Sequence, residues 1–199
     1  MLELKEVIKD MRDIQEYVDI LASTSPTPGG GSAAAIVSSI AISLGLMSIN
    51  VSSNRKSYQA LDEEIKKKNA SIISWLEKLK KEALEFEEAD EEAFKNYMKV
   101  YKSEDEKLKE DAAFKCYNVP YLLLELNMRA VNLLFALKPY IVSSITSDYY
   151  MALELLKATM RSCLLNMDIN VDNIHDEEIK KDCESSHRQV EELIKKMEE

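Results

Sequence analysis

The sequence predicts an all-α protein, a single-domain antiparallel bundle of about six helices. Three observations lead there. Apolar residues recur at three- and four-residue spacing almost throughout, with no convincing strand alternation. Glycine and proline number only four each, while abundant Leu, Ile, Lys, Glu and Met favour helix over strand. The connections between periodic segments are short, which sets sequential helices antiparallel. A chain of 199 residues can enclose one sizeable core, and neither a repeat nor a low-complexity linker divides it, so residues 1–199 are read as one domain.

The first helix follows from Leu4, Val7, Ile8, Met11, Ile14, Val18 and Leu21, and ends near residue 22. A Pro-Thr-Pro-Gly-Gly-Gly loop comes next, and Ser32 is expected to open the second helix. That helix is uncharged and rich in small residues; Ala34, Ser38, Ala41 and Gly45 share a face that another helix can approach closely. The pattern breaks at residues 51–57. A long helix over residues 61–101 carries the seam Ile65, Asn69, Ile72, Leu76, Leu79, Ala83, Phe86, Asp90, Ala93 and Tyr97. Asn69 and Asp90 are its polar members, and a buried acid needs a partner, for which Arg55, Lys56 or a second chain are the candidates. Residues 104–137 form the next helix, with Pro120 removing a backbone donor and expected to kink it. Two further helices cover residues 147–167 and 176–197.

Composition excludes several classes. A net charge of -10 argues against nucleic-acid binding, which needs a basic face. Cys116, Cys163 and Cys183 cannot all pair and form no CxxC, consistent with a reduced, cytoplasmic setting. The charged N-terminus lacks the apolar core of a secretory signal. Residues 33–51 are nearly long and apolar enough to span a bilayer. Their many serines and alanines, and flanks without aromatic anchors, point instead to a helix buried inside a bundle, with no membrane partner.

Three consecutive glycines, Gly29, Gly30 and Gly31, in a chain with one other, mark the loop as unusual. It lacks the Lys-Ser or Lys-Thr of a P-loop. The looser dinucleotide fingerprint, Gly29-x-Gly31-x-x-Ala34, does match, but no strand precedes it and no acid appears before Asp62. What remains is a helix–helix turn, with glycines for positive φ and close packing, or a helix N-terminus offering backbone N–H groups to an anion or cofactor.

With its surroundings the loop resembles a known family. PTPGGGSAAA is similar to the leading motif of the cyclodeaminase/cyclohydrolase family, which includes the cyclodeaminase domain of formiminotransferase-cyclodeaminase and the methenyltetrahydrofolate cyclohydrolases. The resemblance continues in order through Asn54-Arg55-Lys56-Ser57-Tyr58, the Asp90-Glu91-Glu92-Ala93-Phe94 element, Val119-Pro120, the Ser147-Asp148 pair and the Asn166 to Asn170 segment. One departure stands out: Ile141-Val142 occupies the place of the family's usual Gly-Asn.

The resemblance implies an all-helical homodimer that binds folate near the glycine loop and uses no metal or redox cofactor. The reaction it implies is cyclisation of 5-formiminotetrahydrofolate with loss of ammonia, or hydrolysis of the 5,10-methenyl bridge. Both pass through a tetrahedral carbon and need proton transfer and held geometry. Read beside it, Asp148 is the first candidate for general acid/base, against a plain first-turn acid favoured by the helix dipole, and Asp90 the second. With it, Thr27, Pro28, Gly29, Gly30, Gly31 and Ser32, together with Asn166 and Asn170, are candidates for substrate binding, and Arg55 and Lys56 are either holders of a folate's acidic tail or two exposed cations. The Ile141-Val142 departure supports one alternative, an altered or inactive member acting as a folate-binding or helical interaction protein. Cys183 and His187, at i and i+4, lack a further metal ligand in the sequence; Tyr149 and Tyr150 read as core packing before pterin stacking.

Overall fold

The computed structural model describes residues 14–198. The first-helix positions Leu4, Val7, Ile8 and Met11 lie outside them. Helices α1 (Ile14–Leu21), α2 (Gly30–Ser53), α3 (Lys56–Gln59), α4 (Glu63–Val100), α5 (Glu106–Leu137), α6 (Thr146–Val171) and α7 (Glu177–Glu198) follow one another. The short 3-10 turns Lys138–Tyr140 and Ser143–Ile145 join α5 to α6, and no strand occurs among the described residues. The expected elements are all present, and the four-residue α3 is an addition within the break after α2.

The long helices α2, α4, α5 and α6 form the bundle, each packed against the next and α6 closing back on α2. Two cross-links set the antiparallel register of α2 and α4: Ser39 Oγ donates to the Lys80 carbonyl at 3.0 Å, and Ser32 N–H donates to Asp90 Oδ2 at 3.0 Å. In the same way Tyr149 Oη donates to the Leu134 carbonyl, and Asn170 Nδ2 to that of Cys116, which sets α6 against α5.

Small residues let α2 sit at the centre. Ala35, Ser38, Ala41 and Ile42 are fully buried, and a Cβ on Gly45 would lie 2.4 Å from Leu134 Cδ2, so α2 and α5 meet across the bundle diagonal only because that position is glycine. By length and composition both α2 and the segment 106–140 are apolar enough to cross a membrane; in this fold most of α2 is buried in the core, with Ile40 and Met47 left on its outer face. The seam of α4 behaves as expected, with Asn69, Ile72, Leu76, Leu79, Ala83 and Ala93 buried. Asp105 starts α5, its carboxylate accepting from Leu108 N–H at 3.1 Å. Pro120 is tolerated inside α5, which continues unbroken from Glu106 to Leu137.

Candidate functional site

Two of the three glycines lie inside a helix. Gly29 is the N-cap and α2 begins at Gly30, two residues before the expected Ser32. No glycine among the described residues has positive φ, so conformational freedom is not what this run supplies. Close approach is. A Cβ on Gly31 would lie 2.0 Å from Asp90 Oδ1 and 2.5 Å from its Cγ, whereas Gly29 and Gly30 have room for one. The absent side chain at position 31 is the seat of the Asp90 carboxylate.

That carboxylate caps the helix. It accepts from Ser32 N–H, an N–H with no acceptor within the helix, at its positive end. The partner of Asp90 is therefore a backbone amide and not Arg55 or Lys56, because α4 runs antiparallel to α2 and delivers residue 90 to the opposite end. The helix N-terminus already holds the protein's own anion, which disfavours a second anion there. The Ser32 side chain is fully buried and shares a 2.8 Å hydrogen bond with Tyr17 Oη, tying α1 over the first turn of α2. The preceding Thr27–Pro28 bond is cis.

The last turns of α6 complete this end. Asn166 Oδ1 would lie 3.9 Å from a Cβ on Gly30. Asn170 Nδ2 donates to the Asn166 carbonyl at 2.7 Å and to the Cys116 carbonyl at 3.3 Å. The second acceptor exists because of Pro120: a proline lacks the N–H that would otherwise bond the carbonyl four residues earlier, which is that of Cys116. The mid-helix proline thus creates the docking point for Asn170.

Burial raises the Asp90 pKa above the ordinary aspartate value; the Ser32 amide offsets this in part, and Glu91 and Glu87 add to the rise. A carboxyl group moved toward neutrality is suited to exchange protons in either direction. Cys116 and Cys163 feel the same carboxylate. Burial first, and then Asp90, pushes the Cys116 thiol to about 11 and that of Cys163 to about 12. Both are thereby held in the thiol form near neutral pH, which disfavours a nucleophilic role.

The remaining predicted residues lie elsewhere. Asp148 is in the first turn of α6, eighteen residues before Asn166, which at helical rise is about 27 Å away along the axis. Arg55 and Lys56 are exposed beyond the far end of α2, about 36 Å from Gly30. Ile141-Val142 belongs to that far end too, where Val142 N–H donates to Ser52 Oγ at 3.0 Å. Both residues are extended, with φ of -79° and -77°, a conformation that suits β-branched side chains and needs no glycine. Tyr149 is core, 1% exposed and edge-on to the exposed Tyr150. Sequence reasoning missed Tyr17, Cys116 and Cys163 at the loop end; the proline inside a helix was the one available signal, since it marks a freed carbonyl four residues back.

Fold and site together define a class: an antiparallel helical bundle that holds a half-buried carboxylate against a glycine at a helix N-terminus. The chain belongs to the formiminotransferase-cyclodeaminase family, whose sequence profile matches residues 13–189. It is 27% identical over 172 residues to a methenyltetrahydrofolate cyclohydrolase of Methylorubrum extorquens, covering 82% of this chain and 81% of that protein. It is 24% identical over 190 residues to a formimidoyltransferase-cyclodeaminase of Dictyostelium discoideum, covering 94% of this chain but only 34% of that longer protein. The fold matches the crystal structure of formiminotetrahydrofolate cyclodeaminase from Thermotoga maritima with a TM-score of 0.85 and 25% identity, over 96% of this chain and 93% of that one. These relatives are named as enzymes of folate one-carbon metabolism.

Proposed function

We propose that this protein interconverts one-carbon tetrahydrofolates by acid/base catalysis, through cyclodeamination of the 5-formimino derivative or hydrolysis of the 5,10-methenyl bridge. The observation that carries the reading is the Asp90 carboxylate, seated on Gly31, held by Ser32 N–H and raised in pKa by burial. Both substrates carry a cationic amidinium carbon, which a carboxylate attracts and an anion-binding loop would not. In hydrolysis Asp90 takes a proton from the attacking water. The tetrahedral carbon then collapses as the C–N5 bond breaks, and N5 receives a proton. In cyclodeamination N10 attacks the formimino carbon, and Asp90 carries the N10 proton to the departing ammonia. Asp90 thus stands ahead of Asp148, with Asn166 and Asn170 lining the same end for the pterin.

A homodimer reconciles the two ends of the molecule. The outward face of α2 presents Val37, Ile40, Leu44 and Met47, and that of α6 presents Met151, Leu155, Ala158, Ser162, Leu165 and Ile169, all uncharged and spaced alternately by four and three. Ile40 is 50% exposed and Ile169 71% in the single chain, a surface suited to a second copy. An antiparallel two-fold along these helices brings the partner subunit's Asp148, Arg55 and Lys56 to the Asp90 end of the first. The two cations then meet the glutamate tail of the folate.

Pure protein is incubated separately with 5,10-methenyl- and 5-formiminotetrahydrofolate while methenyl absorbance is followed. Loss of absorbance with the first, or its appearance with the second, identifies the reaction. Binding without turnover favours the inactive-member reading, for which Ile141-Val142 is the motivation, and absence of both overturns the folate assignment. Mixing Asp90→Asn chains with Asp148→Asn chains tests the shared site. Restoration to about a quarter of wild-type activity is expected if each site draws on both chains, and none if each is built from one.

A further inference from the structure

The side of α6 turned away from the loop end carries a second cluster. Asp168 lies between Asn166 and Asn170 in sequence, but a two-residue offset on a helix turns it to the other side, toward α7. His187 Nε2 lies 2.8 Å from Asp168 Oδ1, and Cys183 Sγ donates to that same oxygen from 3.7 Å. Cys183 and His187 are one turn apart on one face of α7, and the three donor atoms all lie within 4.8 Å of one another.

We propose that Asp168, Cys183 and His187 form a binding site for a divalent transition metal of the zinc class, joining α6 to α7. Tetrahedral zinc, with bonds of about 2.0–2.3 Å, sets its ligand atoms about 3.2–3.6 Å apart, so small side-chain adjustments complete the geometry. A thiolate, an imidazole and a carboxylate suit zinc, cobalt or nickel and not magnesium or calcium, which demand oxygen. Charge balances: the dication displaces the thiol proton to solvent, and the thiolate and the Asp168 carboxylate neutralise it. The neutral imidazole binds through Nε2. Cys183 forms the buried floor at 4% exposure, while the His187 and Asp168 side chains are 41% and 45% exposed. The ion therefore enters from solvent and keeps a water in its fourth position. The cluster uses none of the groups assigned to the Asp90 end, since Asp168 turns toward α7.

The full chain, stripped of metal with a chelator and kept reduced, is titrated with cobalt(II) and then zinc(II). One cobalt per chain is expected, with a near-ultraviolet thiolate-to-cobalt band that zinc abolishes. Cys183→Ser should lose the band, and Cys116→Ser should keep it. His187→Ala, at a half-exposed position that folding tolerates, should weaken binding by at least about tenfold. Absence of binding by either metal overturns the proposal and leaves a His187–Asp168 hydrogen bond. So does a thiolate band that survives Cys183→Ser, or an unchanged affinity in His187→Ala.

Discussion

Replacing Gly31 with alanine tests the central contact of the site. The new Cβ would stand 2.0 Å from Asp90 Oδ1 and 2.8 Å from Oδ2, far inside van der Waals distance, so the carboxylate must leave its seat. It then forfeits the Ser32 hydrogen bond, a charge-assisted contact with a contribution of about 1.5–3 kcal/mol. Overpacking adds about 1–3 kcal/mol. Against these stands a gain of about 1 kcal/mol in helix propensity, because position 31 is already helical. The net loss is about 1.5–5 kcal/mol. For a chain of this size that lowers Tm by about 3–20 °C, read by circular dichroism. Gly30→Ala serves as the control: its Cβ meets nothing closer than 3.9 Å, so it should be neutral or stabilising. In an Asp90→Ala background the Gly31→Ala penalty should vanish, the signature of a direct pair. If Gly31→Ala costs the same in both backgrounds, the seat does not exist and the reasoning fails.

Asp90→Asn should lower turnover by about 10²–10⁴-fold while folding is preserved. The folded pKa of Asp90 lies above its ordinary 3.8, so the native state holds this proton more tightly and stability declines as pH rises through the interval between the two values. The asparagine variant should lose that decline, which denaturant melts at mildly acidic and neutral pH will read. Pro120→Ala restores the N–H that bonds the Cys116 carbonyl and should stabilise α5 by up to about 3 kcal/mol. It should also displace Asn170 and impair turnover several-fold, seen by comparing kcat and KM with Tm. Installing the family's Gly-Asn through Ile141→Gly with Val142→Asn should cost about 1–3 kcal/mol by thermal melt, since both positions are extended and Ile141 packs on the core. A large rise in turnover would show that the apolar turn impairs catalysis.

The glycine run shows how much of the site was readable beforehand. Its rarity in the sequence marked the loop, and the seam of α4 marked Asp90 as an acid on a buried face. The two were not linked, because helical spacing reports which side a residue faces and not its axial level. Asp90 and Ser32 are 58 positions apart, and only the antiparallel seating of α4 on α2 brings them level. The axial distance of about 27 Å between Asp148 and Asn166 was legible from an eighteen-residue offset on one helix, but not which end of α6 the Asp90 carboxylate would meet. Cys183 and His187 stood at metal-binding spacing, and the third donor, Asp168, had to come from another helix.

The amino-acid sequence by itself determined the all-helical class, the order and approximate ends of the helices, the burial of the uncharged α2 and the family. These follow from short-range periodicity, propensity and motif. The tertiary structure alone decided that Gly31 is a seat and not a turn, that Asp90 caps α2, that Pro120 frees a carbonyl for Asn170, and that Asp90, Asn166 and Asn170 gather at the glycine end while Asp148 does not. Each depends on the register of one helix against another. That register is set by packing such as Leu134 in the notch at Gly45, a contact between residues far apart in the chain.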